Sequence, residues 1–260
     1  QFDHRWATYR VENGKAVSGD VALAHKQNPH FCVTPRYWVD RAEVEQRLRD
    51  KGWNRGWLLG WRDICRSTDE RTAIASVLPR VGVNHKTPLI WPNPNNSLQH
   101  IAAFLGSLLS LTFDYVARQK IGGTSLTYFY FKQLPVLPPE TYTEPDLAYL
   151  VPRVLELTYT AHDLKAWARD LGFDGPPFGF DPERRAIVRA ELDAWYARAY
   201  GLNRDELRYI LDPAEVMGDD YPSETFRVLK TNELREFGEY RTRRLVLEAW
   251  DKQSSGFKEK

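Results

Sequence analysis

The sequence holds only two cysteines, Cys32 and Cys65, among 260 residues. They form no CxxC pair, so a thiol redox motif or a clustered zinc site is excluded, and two reduced side chains are expected instead of a disulfide framework. There is one methionine, Met217, and the chain opens on Gln1, which reads as a piece of a longer protein. No run of about 20 apolar residues is present to span a bilayer. The longest apolar stretch, residues 98–116, is interrupted by Gln99, His100 and Asp114. No signal peptide is expected from the first residues. A cytoplasmic location with no membrane partner is expected. Walker and HExxH motifs are missing, and the six histidines are scattered without metal-ligand spacing.

What is there fits a folded domain. The chain is 42% hydrophobic and 13% aromatic, too much apolar surface for a disordered segment. Net charge is +1, but it is unevenly spread. Residues 51–132 hold 10 Lys and Arg against 4 Asp and Glu, whereas residues 133–260 hold 18 against 24. A locally basic surface is what phosphate binding needs, since each neutralised phosphate releases counterions. The alternative is that the basic and acidic halves face one another.

Local signals divide the chain near residue 140 into an α+β architecture. Residues 1–140 read as mixed α/β and residues 141–260 as helical. Asn13-Gly14 predicts a hairpin. Residues 31–39 are rich in β-formers, although Pro35 confines them to an edge. Asp40 predicts the cap of a helix over 41–51, stopped by Gly52. Residues 57–66 and 71–78 read as an antiparallel hairpin. In the first strand Trp57, Leu59, Trp61 and Cys65 share one face, and Arg62, Ile64 and Arg66 the other. Residues 88–96 read as a loop. Asn96 or Ser97 is placed to cap one nearly buried helix reaching about 119, ended by Gly122-Gly123. The Tyr- and Phe-rich residues 126–134 read as a strand. Beyond them, a helix is expected to open at Pro152 and stop at Gly172. Asp181-Pro182 predicts a helix reaching 200, Asn203 caps another to 211, and residues 224–251 hold more helix before a frayed tail after 252.

Several phrases together carry a family resemblance. They are Phe2-Asp3-His4-Arg5 at the start, RDICRSTDERTAIASVLPR at 62–80, FDYVARQKIGGTSLTYFYFKQLPVLPP at 113–139, RAELDAWYARAYGL at 189–202 and FGEYRTRRLVLEAW at 237–250. In this order they resemble the region that follows the catalytic domain in large adenine-N6 DNA methyltransferases of restriction-modification and phage-defence systems, including type IIG-like enzymes. The KQLPVLPP phrase is also similar to the end of a recognition domain in type I specificity subunits. The resemblance implies a target recognition domain, residues 1–140, followed by a helical C-terminal domain, residues 141–260.

The catalytic motifs of that family are missing here. There is no Gly-rich loop for a methyl donor, and Asn93-Pro94-Asn95-Asn96 lacks the second proline and the aromatic of an Asn-Pro-Pro-aromatic motif. Pro145-Asp146 is not followed by the Glu-x-Lys of a nuclease site. The resemblance therefore implies a non-catalytic chain without cofactor. Its parent would be an adenine-specific DNA methyltransferase using S-adenosylmethionine, with or without endonuclease activity. The implied partners are double-stranded DNA and the upstream catalytic methyltransferase domain of the parent chain. Candidate DNA contacts are Arg62, Arg66, Arg71, Arg80, Lys86, Arg118, Lys120, Thr124 and Ser125. Arginine suits guanine edges; lysine and hydroxyl groups suit phosphate. Arg71 is the candidate most open to a structural role, through pairing with Asp69 or Glu70. Two other readings are an enzyme with an unusual site and a helical, acidic module that docks a methyltransferase or nuclease partner.

Overall fold

The computed structural model describes residues 2–221 and 224–257, with side chains up to Gln253. The fold is α+β, with helices around two small antiparallel sheets. Strands β1 (Ala7–Glu12) and β2 (Lys15–Asp20) form a hairpin with Glu12 opposite Lys15. Asn13 and Gly14 turn it with φ of 51° and 74°, the left-handed values such a two-residue turn demands. A short helix, α1 (Leu23–Gln27), follows. Residues 31–39, expected as an edge strand, form none. The Tyr9 N–H donates to the Thr34 carbonyl at 2.9 Å, but Pro35 removes a donor and the ladder goes no further. The expected cap holds: the Asp40 carboxylate accepts from the Ala42 N–H at the start of α2 (Arg41–Asp50).

The second sheet has the order β4-β3-β5, from β3 (Trp57–Trp61), β4 (Ala75–Pro79) and β5 (Leu89–Ile90). The expected hairpin is present but shorter, since pairing ends at Trp61 and Ala75. Side chains claim the backbone beyond it. The Arg66 N–H donates to Asp69, the Thr72 hydroxyl donates to the Arg66 carbonyl, and Asp114 takes the Thr72 and Ala73 N–H groups. Strand β5 lies within the segment expected to be loop. It sits close against β3: a Cβ at Gly60 would fall 2.7 Å from the Pro88 carbonyl oxygen.

Ser97 caps α3 (Leu98–Leu109), but the single helix expected there is two. Ser110 leaves helical geometry at ψ 151°, and its hydroxyl caps α4 (Leu111–Lys120) by accepting from the Phe113 N–H. The two helices meet at 58°. No single helix among the described residues is long and apolar enough to cross a membrane.

Residues 126–134 are not a strand; they hold α5 (Tyr128–Phe131). Trp61 explains it. Its indole N–H donates to the Leu126 carbonyl at 2.7 Å, Phe131 stacks on it at 4.1 Å, and Tyr128 meets it edge-on at 4.8 Å. Rings three residues apart reach one target from a helical turn, whereas in a strand they would face opposite ways.

Helix α6 (Glu144–Thr158) opens eight residues before the expected Pro152. Thr143 and Asp146 form a reciprocal capping box there, which is the role of the Pro145-Asp146 pair. Pro152 lies inside the helix on an exposed face, as does Ala148, so the carbonyl left without a donor turns to water. Then come α7 (Lys165–Asp170), α8 (Pro182–Ala199) and α9 (Arg204–Leu211), the last two capped by Asp181 and Asn203 as expected. The chain closes with α10 (Pro213–Met217), α11 (Arg227–Phe237) and α12 (Arg241–Phe257). Helix α12 continues through the start of the tail expected to fray; residues 258–260 lie outside the described residues.

One apolar core joins the second sheet, α3, α4, α6, α7 and α8, so it draws on both sides of residue 140. A second core fills the space among α4, α8, α9, α11 and α12. The N-terminus is tied to the helical half by polar groups. Arg5, fully buried, donates to Asp3, to the Lys26 and Asn28 carbonyls and to the Thr160 hydroxyl. The Thr160 hydroxyl in turn donates to Asp3 at 2.6 Å, and the His4 ring lies 2.8 Å from Asp163.

Candidate nucleic-acid interface

Beyond the last rung of β3, the chain keeps its alternation. Trp61, Asp63 and Cys65 are buried while Arg62, Ile64 and Arg66 are exposed. Backbone bonds hold this segment on two sides. The Asp63 N–H donates to the Lys86 carbonyl, the Leu126 N–H donates to the Asp63 carbonyl, and the Cys65 N–H donates to the Thr124 carbonyl. Ile64 faces Ser125 in an antiparallel bridge. The Asp63 carboxylate binds these strands together: Lys86 Nζ lies 2.9 Å from it and the Ser125 hydroxyl 3.4 Å.

This crossing brings the backbones of residues 62–66, 86 and 124–125 together; Arg62, Arg66 and Thr124 are exposed, while Lys86 and Ser125 are half-buried against Asp63. Lys120 stands nearby in sequence at the end of α4 and donates to Gln133. Arg62 is held only loosely, 3.6 Å from Asp69 at the surface, an arrangement worth little in water.

The other candidates turn inward. Arg80 donates to Glu45 at 2.8 Å and to the Trp53 and Arg55 carbonyls, fastening α2 to β4. Arg118 is buried against Asp114 at 2.9 Å and donates to the Ser67, Glu70 and Thr225 carbonyls. All its donors point into the protein, which leaves none for DNA in this conformation. Arg71 is also buried, but the expected pairing with Asp69 or Glu70 is not what holds it. Asp69 takes Arg62, and Glu70 accepts from Asn232. Pairing thus trims the basic excess of residues 51–132, since Arg55 also binds Asp170 at 3.2 Å.

No known protein family, curated protein or solved structure matches the chain. The chemistry of the edge must therefore be argued from its own residues. Among the described residues no group of three His, Cys, Asp or Glu side chains could hold a metal ion. Burial pushes the Cys65 thiol up to about 11, so it is no nucleophile near neutral pH.

Two features escape sequence reading. Asp63 looks like one more surface acid in a basic run, but its burial at the crossing makes it the organising residue. The other is an exposed aromatic pair, Tyr37 and Trp38, with the Arg36 guanidinium 5.1 Å from the Tyr37 ring. The adjacency of Arg36, Tyr37 and Trp38 was the available signal, but the expected edge strand would have half-covered them.

Proposed function

We propose that the chain is a sequence-reading module for double-stranded DNA, belonging to an adenine-specific DNA methyltransferase or restriction-modification enzyme. It presents the target site to a catalytic domain elsewhere in the parent chain, where S-adenosylmethionine is bound. One observation carries the reading: residues 62–66 run past residues 124–125 and Lys86, with Arg62, Arg66 and Thr124 exposed and Lys86 and Ser125 half-buried at the Asp63 carboxylate. Guanidinium groups on an extended segment can reach base edges in a major groove, and the flanking lysine and hydroxyl groups suit phosphate. The ordered phrases described above add the family context.

Docking of a partner by the acidic helices has less support. Many of their carboxylates are already taken within the half: Glu156 by Arg184, Glu191 by Arg153, Glu215 by Arg208 and Glu239 by Arg244.

Titration of a labelled duplex at several salt concentrations tests the DNA reading. Affinity in the non-specific range of about 10⁻⁴ to 10⁻⁶ M at physiological salt is expected. Arg62→Ala with Arg66→Ala should weaken binding and lower the slope of log affinity against log salt by about 2. Arg169→Ala with Arg204→Ala, on the helical half, should change neither. Arg185 is unsuitable as a control because it is buried and donates to the Leu157 carbonyl. Equal losses from both pairs, or affinity indifferent to salt, would overturn the proposal.

A further inference from the structure

A cavity of about 590 Å³ opens between Arg62, residues 69–71, β4, the N-terminus, α8, α11 and α12; residues 124–125 are not among its lining. Its size falls within the range of small-molecule sites. Four guanidinium groups line it, from Arg62, Arg71, Arg189 and Arg241; Arg62 faces Asp69 and Arg241 pairs with Glu183, which leaves Arg71 and Arg189. Arg71 is 9% exposed, and its buried Nη1 has no hydrogen-bond partner. Neither arginine forms an ion pair within 4 Å among the described residues. Burial and the neighbouring Arg71 charge lower the Arg189 pKa.

The carboxylates around the cavity are engaged elsewhere. Asp3 is held by Arg5 and Thr160, and Asp69 faces Arg62. Glu70 accepts from Asn232, and Glu233 accepts from the Thr242 N–H and hydroxyl. The other lining arginine of the helical side, Arg241, is itself paired with Glu183 at 2.9 Å. Glu236, with none of these partners, is exposed. The buried Asp193 carboxylate lies within the field of both free guanidiniums, but its hydrogen bond goes to the Leu111 N–H. The Phe226 ring, 5.9 Å from Arg71, gives a cation–π contact but leaves the N–H donors unused.

Buried donors are almost always satisfied, and an orphaned one costs free energy. Two unpaired guanidiniums in one cavity call for acceptor oxygens from outside the chain. The walls also carry two partly exposed aromatic rings, Trp6 at 56% and Phe237 at 42% exposure, with Lys26 Nζ 4.2 Å from the first and the Arg241 guanidinium 4.7 Å from the second.

We propose that this cavity binds a small anion with a ring-bearing body, an aromatic phosphate or carboxylate, with Arg71 and Arg189 taking the anionic group and Trp6 and Phe237 flanking the body. The cavity shares Arg62 with the candidate DNA edge but the inference does not rest on the DNA reading, and its ligand is a small molecule rather than duplex.

Isothermal titration with phenyl phosphate, benzoate, inorganic phosphate and phenol tests it. At least one of phenyl phosphate and benzoate should bind saturably, about tenfold or more tighter than inorganic phosphate, and phenol should not bind. Which of the two binds tighter assigns the anionic group. Arg189→Gln should weaken binding by about tenfold or more while leaving the melting temperature and duplex affinity unchanged. Arg71→Gln should do the same to the ligand; if that variant fails to fold, Arg189→Gln alone decides. Lack of saturable binding of either aromatic anion up to about 5 mM, or binding unaffected by Arg189→Gln, overturns the proposal. Inorganic phosphate binding as tightly as phenyl phosphate overturns the role given to the rings.

Discussion

Asp193, deep in α8, accepts a 2.7 Å hydrogen bond from the backbone N–H of Leu111, the first residue of α4. A carboxylate from one helix thus caps the start of another, where unpaired N–H groups and the helix dipole favour negative charge. Burial nevertheless dominates and pushes the Asp193 pKa up from 3.8 to about 6, against the opposing pull of Arg71, the Leu111 N–H and Arg189.

The raised value fixes the sign of a pH effect. Asp193 is easier to protonate folded than unfolded, so its contribution is fully present below pH 4 and is lost as pH rises through 6. The loss amounts to about 3 kcal/mol at most. Asp193→Asn keeps an acceptor for Leu111 and removes the charge. Relative to the unmodified protein, its stability should climb by up to that amount between pH 4 and pH 7. Urea unfolding at both pH values measures this; a pH-independent difference would remove the argument.

Asp3 behaves in the opposite sense. Burial raises its pKa, but hydrogen bonds and charge from Arg5, with help from Thr160, outweigh that and hold it at about 2. Its contribution is present above pH 4 and lost as pH falls toward 2, to the extent of about 2 kcal/mol. Arg5→Ala strands a buried carboxylate and should cost about 3–5 kcal/mol at pH 7, read from the urea midpoint. The penalty should shrink in acid, once Asp3 is neutral.

Gly60→Ala should destabilise by about 1–3 kcal/mol, because its Cβ would press on the Pro88 carbonyl and force β5 away from β3. Gly122→Ala, where a Cβ meets nothing within 4 Å, is the control and should change the urea midpoint little.

Calorimetry with S-adenosylmethionine should give no saturable heat, since the chain has neither a Gly-rich donor loop nor an Asn-Pro-Pro-aromatic motif. Micromolar binding would assign the chain a catalytic role that the present reading denies it.

Local chemistry was what the sequence expressed well. Asn13-Gly14, Asp40, Ser97, Asp181 and Asn203 act through neighbours two or three residues away, and each forms the turn or cap its identity implies. The aromatic run at residues 128–131 has strand composition, and only Trp61, more than 60 residues earlier, makes the helical turn favourable. Pro152 is a weaker start signal than the capping box of Thr143 and Asp146. At the candidate interface, Arg62, Ile64 and Arg66 were legible from alternation alone. Arg80 and Arg118 look equally free in sequence, and only their distant acceptors show otherwise. The cavity holding Arg71 and Arg189 is built from elements more than 100 residues apart, beyond the reach of any local pattern.

The ties between the N-terminus and residues 160–163 have a bearing on how the chain is made. Asp3 and Thr160 are separated by 157 positions, and His4 and Asp163 by 159. At a synthesis rate of about 5–20 residues per second, Asp3 and His4 wait about 10–30 s for their partners to be added. Until then the Arg5 guanidinium is solvated and the β1–β2 hairpin has little to rest on. Closing so long a loop carries an entropic cost that only the nearly complete fold offsets. Residues 3–5 are therefore among the last of these elements to reach their native place.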